Sequence, residues 1–290
     1  MKIQGIIPAV LTPFVPSGGV DFDRFHAHVD RLYRAGVDGI YVGGNAGEWY
    51  AMSLEERKAL AAAAVSASRG RGLALVHVGA ARIEDSIELA RHAEDLGADG
   101  ISSLPPYTQG WSMPEVRCWF ERLAGATDLP FLIYYFPRLT GGATGESFFE
   151  AMRPVGRIAG YKFTDMNLFD LGLLLEGPYT VLNGHDPNLS AALRMGADGG
   201  IGSFYNIAAD FAVAMLRANR SGDAAGAERI QAQLNRTIRI VRGYRLIPAL
   251  KHICGLQGFD QGMMRDPMLP LGKDEQQRLS SEWEVTLCAR

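Results

Sequence analysis

The sequence predicts an α/β fold, a (β/α)8 TIM barrel with a C-terminal helical appendix, on three observations. A phrase of five residues recurs three times along the chain. Eight short apolar runs alternate with helix-like segments over roughly 220 residues, which matches such a barrel in number and size. After that stretch the alternation stops and only helical patterns remain. Repetition of a helix-to-strand unit is typical of parallel α/β proteins.

The recurring phrase marks a turn from a helix into a strand. Its copies are Gly36–Ile40, Gly97–Ile101 and Gly196–Gly200, and each contains an aspartate followed by a glycine. The first glycine of each copy follows a helical segment, at the position where a helix needs a left-handed C-cap. A short apolar run comes next each time, so we expect the phrase to end a helix and begin a strand.

Eight strands are predicted from short apolar runs, because strands covered on both faces read as continuous apolar stretches. In chain order they are Gly5–Val10, Ile40–Val42, Leu73–Val78, Ile101–Ser103, Phe131–Phe136, Ile158–Lys162, Tyr179–Leu182 and Ile201–Ser203. The helical segments that separate them are Arg24–Ala35, Leu54–Ser68, Ile83–Leu96, Pro114–Ala124, Glu146–Met152, Leu168–Leu175, Leu189–Met195 and Ile207–Arg220. The alternative is a doubly wound open sheet, which would place a glycine-rich phosphate loop after the first strand. The segment Leu11–Pro16 does not have that chemistry.

The C-terminal part of the chain is predicted to be helical without strands. Its helices are expected over Asp223–Arg242, Ile247–Gly255 and Lys273–Cys288. We therefore predict a barrel over residues 1–220 and a helical extension of the same domain over residues 221–290. The extension is expected to cover a barrel face or to build a subunit contact.

Composition limits the classes of protein that fit. The chain has 290 residues, 47% of them hydrophobic, which is enough for one large core. Its formal net charge of −3 favours neither nucleic acid nor a membrane surface as a partner. Three widely spaced cysteines fit a reduced, cytoplasmic protein. The apolar run at the N-terminus is too short for a signal peptide, and no apolar run approaches a membrane span.

The stretch Ile158–Asp165 combines a buried strand pattern with a single lysine. Burial of the Lys162 ammonium without a partner would lower its pKa. A lysine that is neutral part of the time is a nucleophile that forms Schiff bases with carbonyl substrates. The alternative is a lysine that extends out to water at a strand end. The residues at the other strand ends favour the first interpretation.

In this architecture the active site lies at the carboxyl ends of the strands. The residues at or just beyond the ends of the predicted strands supply one lysine, tyrosines, hydroxyl groups and glycines. They are Thr12; Gly43–Glu48; Pro105, Pro106 and Tyr107; Tyr134, Tyr135 and Pro137; Lys162 and Thr164; Asn183–Asp186; and Ser203. They include no His, Cys and Asp cluster with metal spacing, no Walker loop and no GxSxG motif. We therefore expect neither a metal nor a cofactor.

These residues carry a resemblance to a known family. The matching pieces are Pro8-Ala9 with Thr12-Pro13-Phe14, Gly43-Gly44 with Gly47-Glu48, Pro105 with Tyr107, Tyr134 with Pro137, Lys162, Asn183-Gly184 with Asp186, and Gly196–Ser203. In this order, and with this spacing between Tyr134 and Lys162, the chain resembles the dihydrodipicolinate synthase / N-acetylneuraminate lyase family of Schiff-base aldolases. The resemblance extends from about Gly5 to Asn206.

The resemblance implies a role for each matching residue. Lys162 would form the imine with a 2-keto acid such as pyruvate, and Tyr134 would shuttle protons between the imine and the substrate. The loop Gly44-Asn45-Ala46 would hold the substrate carboxylate on backbone N–H groups, which suits an anion physically. The other substrate-binding residues would be Tyr107, Thr164, Gly184, Asp186 and Ser203. The family also implies a homo-oligomer, most often a tetramer, in which Tyr107 would reach a neighbouring subunit's site.

Three places depart from the family's pattern. Asn45 and Ala46 stand where the family usually has two hydroxyl residues, and an amide can donate a hydrogen bond but cannot relay a proton as a hydroxyl does. Leu139 stands where synthases carry an arginine, with Arg138 one position early, which disfavours a second substrate carboxylate. Pro187 stands where sialic acid lyases have a glutamate, and proline offers no side-chain donor or acceptor.

The predicted function is that of a lyase which forms an imine with a 2-keto acid and cleaves it to pyruvate, or condenses pyruvate with an aldehyde. The lyase branch of the family matches better than the synthase branch at Lys162-x-Thr164, Gly184-x-Asp186 and Gly202-Ser203. The substrate would be a 2-keto-3-deoxy sugar acid or a molecule similar to N-acetylneuraminate, and the departures favour the shorter tail. His185, Arg138 and Leu139 are candidate specificity residues.

Three alternatives to this function remain open. A dehydratase would use the same imine to expel a hydroxyl group from a 2-keto-3-deoxy sugar acid, and it needs the same lysine and tyrosine. Dihydrodipicolinate synthase itself is disfavoured by Leu139. A non-catalytic barrel that only binds a keto acid is disfavoured because both Tyr134 and Lys162 are retained.

Four further residues are interpreted as structural. Asp21 is expected to cap the first helix instead of binding a metal. His26 and His28 are expected on the solvated face of that helix, and Tyr135 is expected to pack away from the site.

Overall fold

The computed structural model describes residues 2–105, 110–140 and 144–288 of the chain. Within these ranges eight parallel strands form a single sheet. They are β1 (Gly5–Pro8), β2 (Gly39–Val42), β3 (Leu73–His77), β4 (Gly100–Ser103), β5 (Phe131–Tyr135), β6 (Ile158–Phe163), β7 (Thr180–Asn183) and β8 (Gly199–Gly202). Their order in the sheet is β1-β8-β7-β6-β5-β4-β3-β2. Every residue of β1 to β5 is buried, as the continuous apolar runs predict.

The sheet closes into a barrel between its two end strands, β1 and β2. Ala9, just past β1, lies opposite Tyr41 of β2 in parallel register. The Val10 N–H donates to the Tyr41 carbonyl at 3.0 Å. The predicted (β/α)8 barrel is therefore confirmed, and the open sheet is excluded.

Helices alternate with the strands and cover the outside of the barrel. They are α1 (Phe22–Arg34), α2 (Leu54–Ser68), α3 (Ile83–Leu96), α4 (Met113–Ala124), α5 (Pro137–Thr140), α6 (Gly145–Met152), α7 (Leu168–Leu175), α8 (Leu189–Met195), α9 (Tyr205–Arg220), α10 (Ala224–Val241), α11 (Leu246–Leu256) and α12 (Lys273–Cys288). The short helix α5, directly after β5, was not predicted. In the C-terminal extension, α10 packs against the barrel helices α9 and α8, α11 packs against α9, and α12 packs against α10 and α11. None of the described helices is long and apolar enough to cross a membrane.

The recurring phrase is confirmed as a turn from helix to strand. Its first glycine ends α3 at Gly97 and α8 at Gly196, with left-handed φ angles of 77° and 110°. Glycine adopts this conformation without the steric cost that a Cβ would bring.

The aspartate of the phrase has a structural role that the sequence alone did not indicate. In each copy its carboxylate accepts a hydrogen bond from the second residue of the neighbouring strand. The pairs are Asp38 with the Ile6 N–H at 2.8 Å, Asp99 with the Ala74 N–H at 2.8 Å, and Asp198 with the Val181 N–H at 2.9 Å. We call these three pairs the strand clasps. They lie at the N-terminal end of the barrel, opposite the strand ends where a site is expected.

The structural predictions for the first helix were partly right. Asp21 caps α1 by accepting from the Arg24 N–H at 3.1 Å. The prediction for His28 was wrong, because its ring is fully buried and its Nε2 donates to Asn206 Oδ1 at 2.8 Å. Burial lowers the pKa of His28 to about 4, so the ring is neutral at pH 7. Tyr135 packs away from the barrel axis as predicted, and its hydroxyl accepts from the Gly145 N–H at 2.8 Å.

Candidate active site

Lys162 lies near the carboxyl end of β6 with its ammonium group among aromatic rings. Its side chain is buried, with 4% of the residue's surface exposed. Its Nζ lies 3.9 Å from the centre of the Tyr134 ring and 4.2 Å from the centre of the Tyr41 ring. Tyr134 is the direct neighbour of Lys162 across the β5–β6 pair. The two residues that the sequence singled out are therefore in contact.

Burial has a large effect on the protonation of Lys162. It lowers the pKa of the ammonium to about 7, against a weaker opposing effect of the Asp186 carboxylate. Lys162 forms no ion pair with any residue in the described ranges. A substantial fraction of the side chain is therefore the neutral amine near pH 7, which is the form that attacks a carbonyl.

A second buried lysine, Lys251 in α11, differs in its partners. Its Nζ lies 2.7 Å from Glu48 Oε1 and donates to the Met263 carbonyl at 2.8 Å. Burial lowers the pKa of Lys251, and the Glu48 carboxylate counters that effect. The Arg265 N–H also approaches the other carboxylate oxygen of Glu48 at 3.5 Å. This network fixes the end of the loop after β2, and its geometry favours Lys162 over Lys251 as the nucleophile.

Asp186 supplies a buried carboxyl group to the same strand ends. It follows β7 in a short 3-10 turn, Asp186–Asn188, and its Oδ2 accepts from the Phe204 N–H at 3.1 Å. Burial raises the pKa of this carboxyl group to about 6, although the Phe204 N–H and Lys162 both act in the opposite direction. The charge of each of these two groups therefore shifts the pKa of the other.

The loop after β2 brings backbone and amide groups to the site. Gly44 precedes a 3-10 turn over Asn45–Gly47, whose first N–H groups have no partner within the turn. Glycine is required at 44, because a Cβ there would lie 2.5 Å from the Tyr41 ring. The Asn45 Oδ1 accepts from the Trp49 Nε1–H at 2.8 Å.

The remaining predicted site residues lie at neighbouring strand ends. Thr164 and Gly184 follow β6 and β7 and are close together, since a Cβ on Gly184 would lie 2.0 Å from Thr164 Oγ1. Ser203 directly follows β8 and is half-buried. His185 is also half-buried, and burial lowers the pKa of its ring.

Two of the candidate specificity residues are less enclosed, and one predicted residue cannot be placed. Arg138 and Leu139 are exposed in α5. Tyr107 lies outside the described residues. Within the described ranges, no three His, Cys, Asp or Glu side chains are grouped as metal ligands would be.

Sequence reasoning missed His77, which lies at the end of β3 beside the tyrosines. Its ring centre is 6.2 Å from that of Tyr134, edge to face, and its Nδ1 lies 2.9 Å from the Gly43 carbonyl oxygen. A carbonyl only accepts, so Nδ1 carries the proton. Burial lowers the pKa of His77 well below its usual value, which keeps the ring neutral. A single polar residue ending an apolar run was the available signal, as at Lys162.

A parallel barrel that holds a buried, partly neutral lysine against a phenol has the chemistry of the imine-forming enzymes. The model of the dihydrodipicolinate synthetase family matches residues 2–285, and the chain belongs to that family. This confirms the family predicted from the sequence.

Individual relatives fall mainly in the lyase branch of the family. The chain is 35% identical to N-acetylneuraminate lyase of Rhizobium meliloti over 269 residues, which cover 92% of this chain and 90% of the relative. It is 35% identical over 232 residues to YagE of Escherichia coli, a putative 2-dehydro-3-deoxy-D-gluconate aldolase, with 77% and 76% covered. The structure of YagE in complex with pyruvate superposes with a TM-score of 0.92 and 30% identity, covering 98% of this chain and 99% of the other. The family and these relatives place the chain among the lyases, as predicted.

Proposed function

We propose that this protein is a Schiff-base lyase that cleaves a 2-keto-3-deoxy sugar acid, or a related N-acetylneuraminate-like acid, to pyruvate and an aldehyde. The observation that carries the proposal is the lysine of lowered pKa in contact with the Tyr134 ring. The relatives named above support it, since they include N-acetylneuraminate lyases and a putative sugar-acid aldolase.

The reaction would begin at Lys162. The neutral amine adds to the C2 carbonyl of the substrate, and loss of water gives the imine, which becomes an electron sink once protonated. The C4 hydroxyl then loses its proton while the C3–C4 bond breaks. The electron pair of that bond passes into the enamine, and the aldehyde leaves. Protonation at C3 and hydrolysis of the imine release pyruvate and restore the amine.

Tyr134 would carry the proton in these steps. Its ring packs nearly perpendicular to the rings of Tyr41 and His77 and stacks on Phe136 at 6.0 Å. A phenol that is fixed beside the imine can move a proton without a metal ion.

The rest of the substrate would lie between two groups of residues. Its carboxylate would bind at the Gly44, Asn45 and Ala46 loop, where N–H groups are available. Its hydroxylated tail would extend toward the ends of β6, β7 and β8, with the polar groups Thr164, Gly184, Asp186, His185 and Ser203. The side chain of Pro187 adds no polar group there, which favours a short tail.

A dehydratase remains the second candidate. It would form the same imine at Lys162 and expel a hydroxyl group as water, so the same geometry supports it. The two activities differ only in product. A lactate dehydrogenase-coupled assay reports pyruvate, which the dehydratase would not release.

We also propose a cytoplasmic homo-oligomer, a tetramer by resemblance. Large apolar side chains on and beside α7 and α8 are exposed in the single chain, at 57% for Met166, 74% for Phe169 and 41% for Met195. A cluster of this kind is typical of surfaces that another protein covers. A second copy of the chain is the partner that the family implies.

The central experiment is reductive trapping. Borohydride with pyruvate should reduce the imine and add the mass of reduced pyruvate to the peptide containing Lys162. Lys162→Ala should abolish the adduct and turnover, whereas Lys58→Ala, at the surface, should keep both. An adduct at Lys251 or Lys58 would contradict the proposal. A panel of 2-keto-3-deoxy sugar acids, N-acetylneuraminate, and pyruvate with aspartate semialdehyde then identifies the substrate class.

A further inference from the structure

The side-chain amide of Asn45 has one fixed orientation. The Trp49 Nε1–H donates to Asn45 Oδ1 at 2.8 Å. An indole N–H is only a donor, and only the oxygen of a carboxamide accepts. The contact with Trp49 therefore decides which end of the amide is the oxygen and which is the amino group.

Trp49 is itself anchored from two sides. The Arg57 guanidinium lies over its ring, 5.3 Å from the centre, and the His77 ring tilts against it at 5.7 Å. Arg57 in turn donates to the carbonyls of His77 at 2.8 Å and Gly79 at 2.9 Å. The imidazole Nδ1–H of His77 donates a hydrogen bond to the Gly43 carbonyl. Trp49 is thus tied to the ends of β2 and β3, which form the wall of the candidate site.

With its oxygen occupied, Asn45 presents the two N–H groups of its Nδ2. That amino group has no partner in the described part of the chain, and the residue is half-buried in the loop after β2. We infer that Trp49 is a positioning residue that makes Asn45 a fixed donor to the carboxylate of the 2-keto acid. The inference rests on the proposed function, in which this loop binds the carboxylate.

The orientation has a consequence for the chemistry of the loop. A hydroxyl group donates and accepts, so it can pass a proton along a chain of hydrogen bonds, whereas an amide held in this way only donates. Ala46, the next residue, has no polar side chain. The loop would therefore bind the carboxylate strongly, through a charge-assisted hydrogen bond, and take no part in proton transfer.

A double-mutant cycle tests this role. Trp49→Phe keeps an aromatic ring against Arg57 and His77 but removes the N–H. We expect it to weaken pyruvate binding about 3- to 30-fold, measured from the pyruvate dependence of cyanoborohydride trapping. In an Asn45→Ala background the same change should alter binding by less than about 2-fold, because the group through which it acts is gone. A merely structural role would give the same loss in both backgrounds.

A second variant tests the orientation independently of Trp49. Asn45→Asp still accepts from the indole but replaces the amino group by an oxygen, so it should weaken pyruvate binding by more than about 10-fold. Trp283→Phe in α12 is the matched control and should leave binding unchanged.

Two outcomes would overturn the inference. One is unchanged pyruvate binding in both Trp49→Phe and Asn45→Asp, and the other is an equal loss from Trp49→Phe with and without Asn45. A wild-type chain that forms no adduct with pyruvate at Lys162 would instead overturn the proposed function.

Discussion

Lys162 and Lys251 are two buried lysines that differ in their partners. Both side chains are almost fully buried, and burial lowers the pKa of both. Lys251 has a carboxylate at 2.7 Å, which stabilises its charged form. The Lys162 ammonium lies instead against the faces of two aromatic rings, and the Asp186 charge raises its pKa less than burial lowers it. This difference in partners supports the proposal that Lys162, and not Lys251, forms the imine.

The lowered pKa of Lys162 predicts the pH dependence of imine formation. The neutral amine is the reactive form, so the rate of pyruvate trapping should rise with pH around a midpoint near 7. An unperturbed lysine would give a midpoint at about pH 10. Asp186→Asn removes the charge that raises the pKa of Lys162, so it should move the midpoint to lower pH. The measurement is the initial rate of cyanoborohydride trapping from pH 5.5 to about 9.

The control for this shift is Asp165→Asn, which changes a nearby carboxylate that does not contribute to the lowered pKa of Lys162. It should leave the midpoint in place. A midpoint that stays fixed in Asp186→Asn would remove Asp186 from the electrostatics of the imine lysine.

Tyr134 and Tyr135 are adjacent tyrosines with different surroundings, which makes a matched pair of variants. Tyr134→Phe should still form the pyruvate adduct but lose on the order of 10²–10⁴ in turnover, the range for general acid–base catalysis. Tyr135→Phe removes only the hydrogen bond from the Gly145 N–H and should keep its turnover within about 10-fold. Full activity in Tyr134→Phe would show that another group moves the proton.

At the scale of elements, the loop after β2 is held by residues far away in the chain. Glu48 has a left-handed φ of 57°, and its carboxylate is buried against Lys251 of α11. The Arg265 side chain also pairs with Glu56 at the start of α2. The C-terminal extension therefore does more than cover the barrel, because it supports the loop that is proposed to bind the substrate carboxylate.

Removal of one partner of this buried pair should be costly. Lys251→Met leaves the Glu48 carboxylate buried without its ammonium, so we expect a loss of about 3–5 kcal/mol in the free energy of unfolding. The double variant Glu48→Gln with Lys251→Met should lose less, because no buried charge is left unpaired. Denaturant-induced unfolding at one protein concentration measures both.

Lys58→Met is the matched control for this prediction. Lys58 forms surface ion pairs with Glu55 and Glu88, which water screens, so little change is expected. If Lys251→Met were as stable as Lys58→Met, the buried pair would not be what holds the loop.

At this scale, the sequence predicted those features that depend on a pattern within a few neighbouring residues. Strand runs, the glycine C-caps and Lys162 were found because each leaves a signal within a few residues. The burial of His28 was missed because it depends on Asn206, which is 178 residues away. The pair of Glu48 with Lys251 was missed for the same reason, since no single segment contains both partners. The roles assigned to the site residues stay predictions until they are tested.

At the scale of the whole molecule, the exposed apolar surface near α7 predicts self-association. Phe169→Asp would place a charge in a contact that is apolar, so we expect a smaller particle mass by light scattering. Val285→Asp is the matched control, because Val285 is similarly exposed, at 71%, but lies on α12. An active monomer in the wild-type chain at assay concentration would contradict the proposed assembly.

The strand clasps lie at the end of the barrel opposite the candidate active site. Asp38, Asp99 and Asp198 fasten the strands at one end, and Lys162 contacts the rings of Tyr134 and Tyr41 at the other. We therefore expect mutations that change specificity at the carboxyl ends of the strands to leave the clasps intact. One inherited scaffold can then be adapted to acids with different tails, which agrees with the different substrates named for its relatives. To engineer a new substrate specificity, one would keep the three aspartates of the strand clasps and vary the residues at the carboxyl ends of the strands.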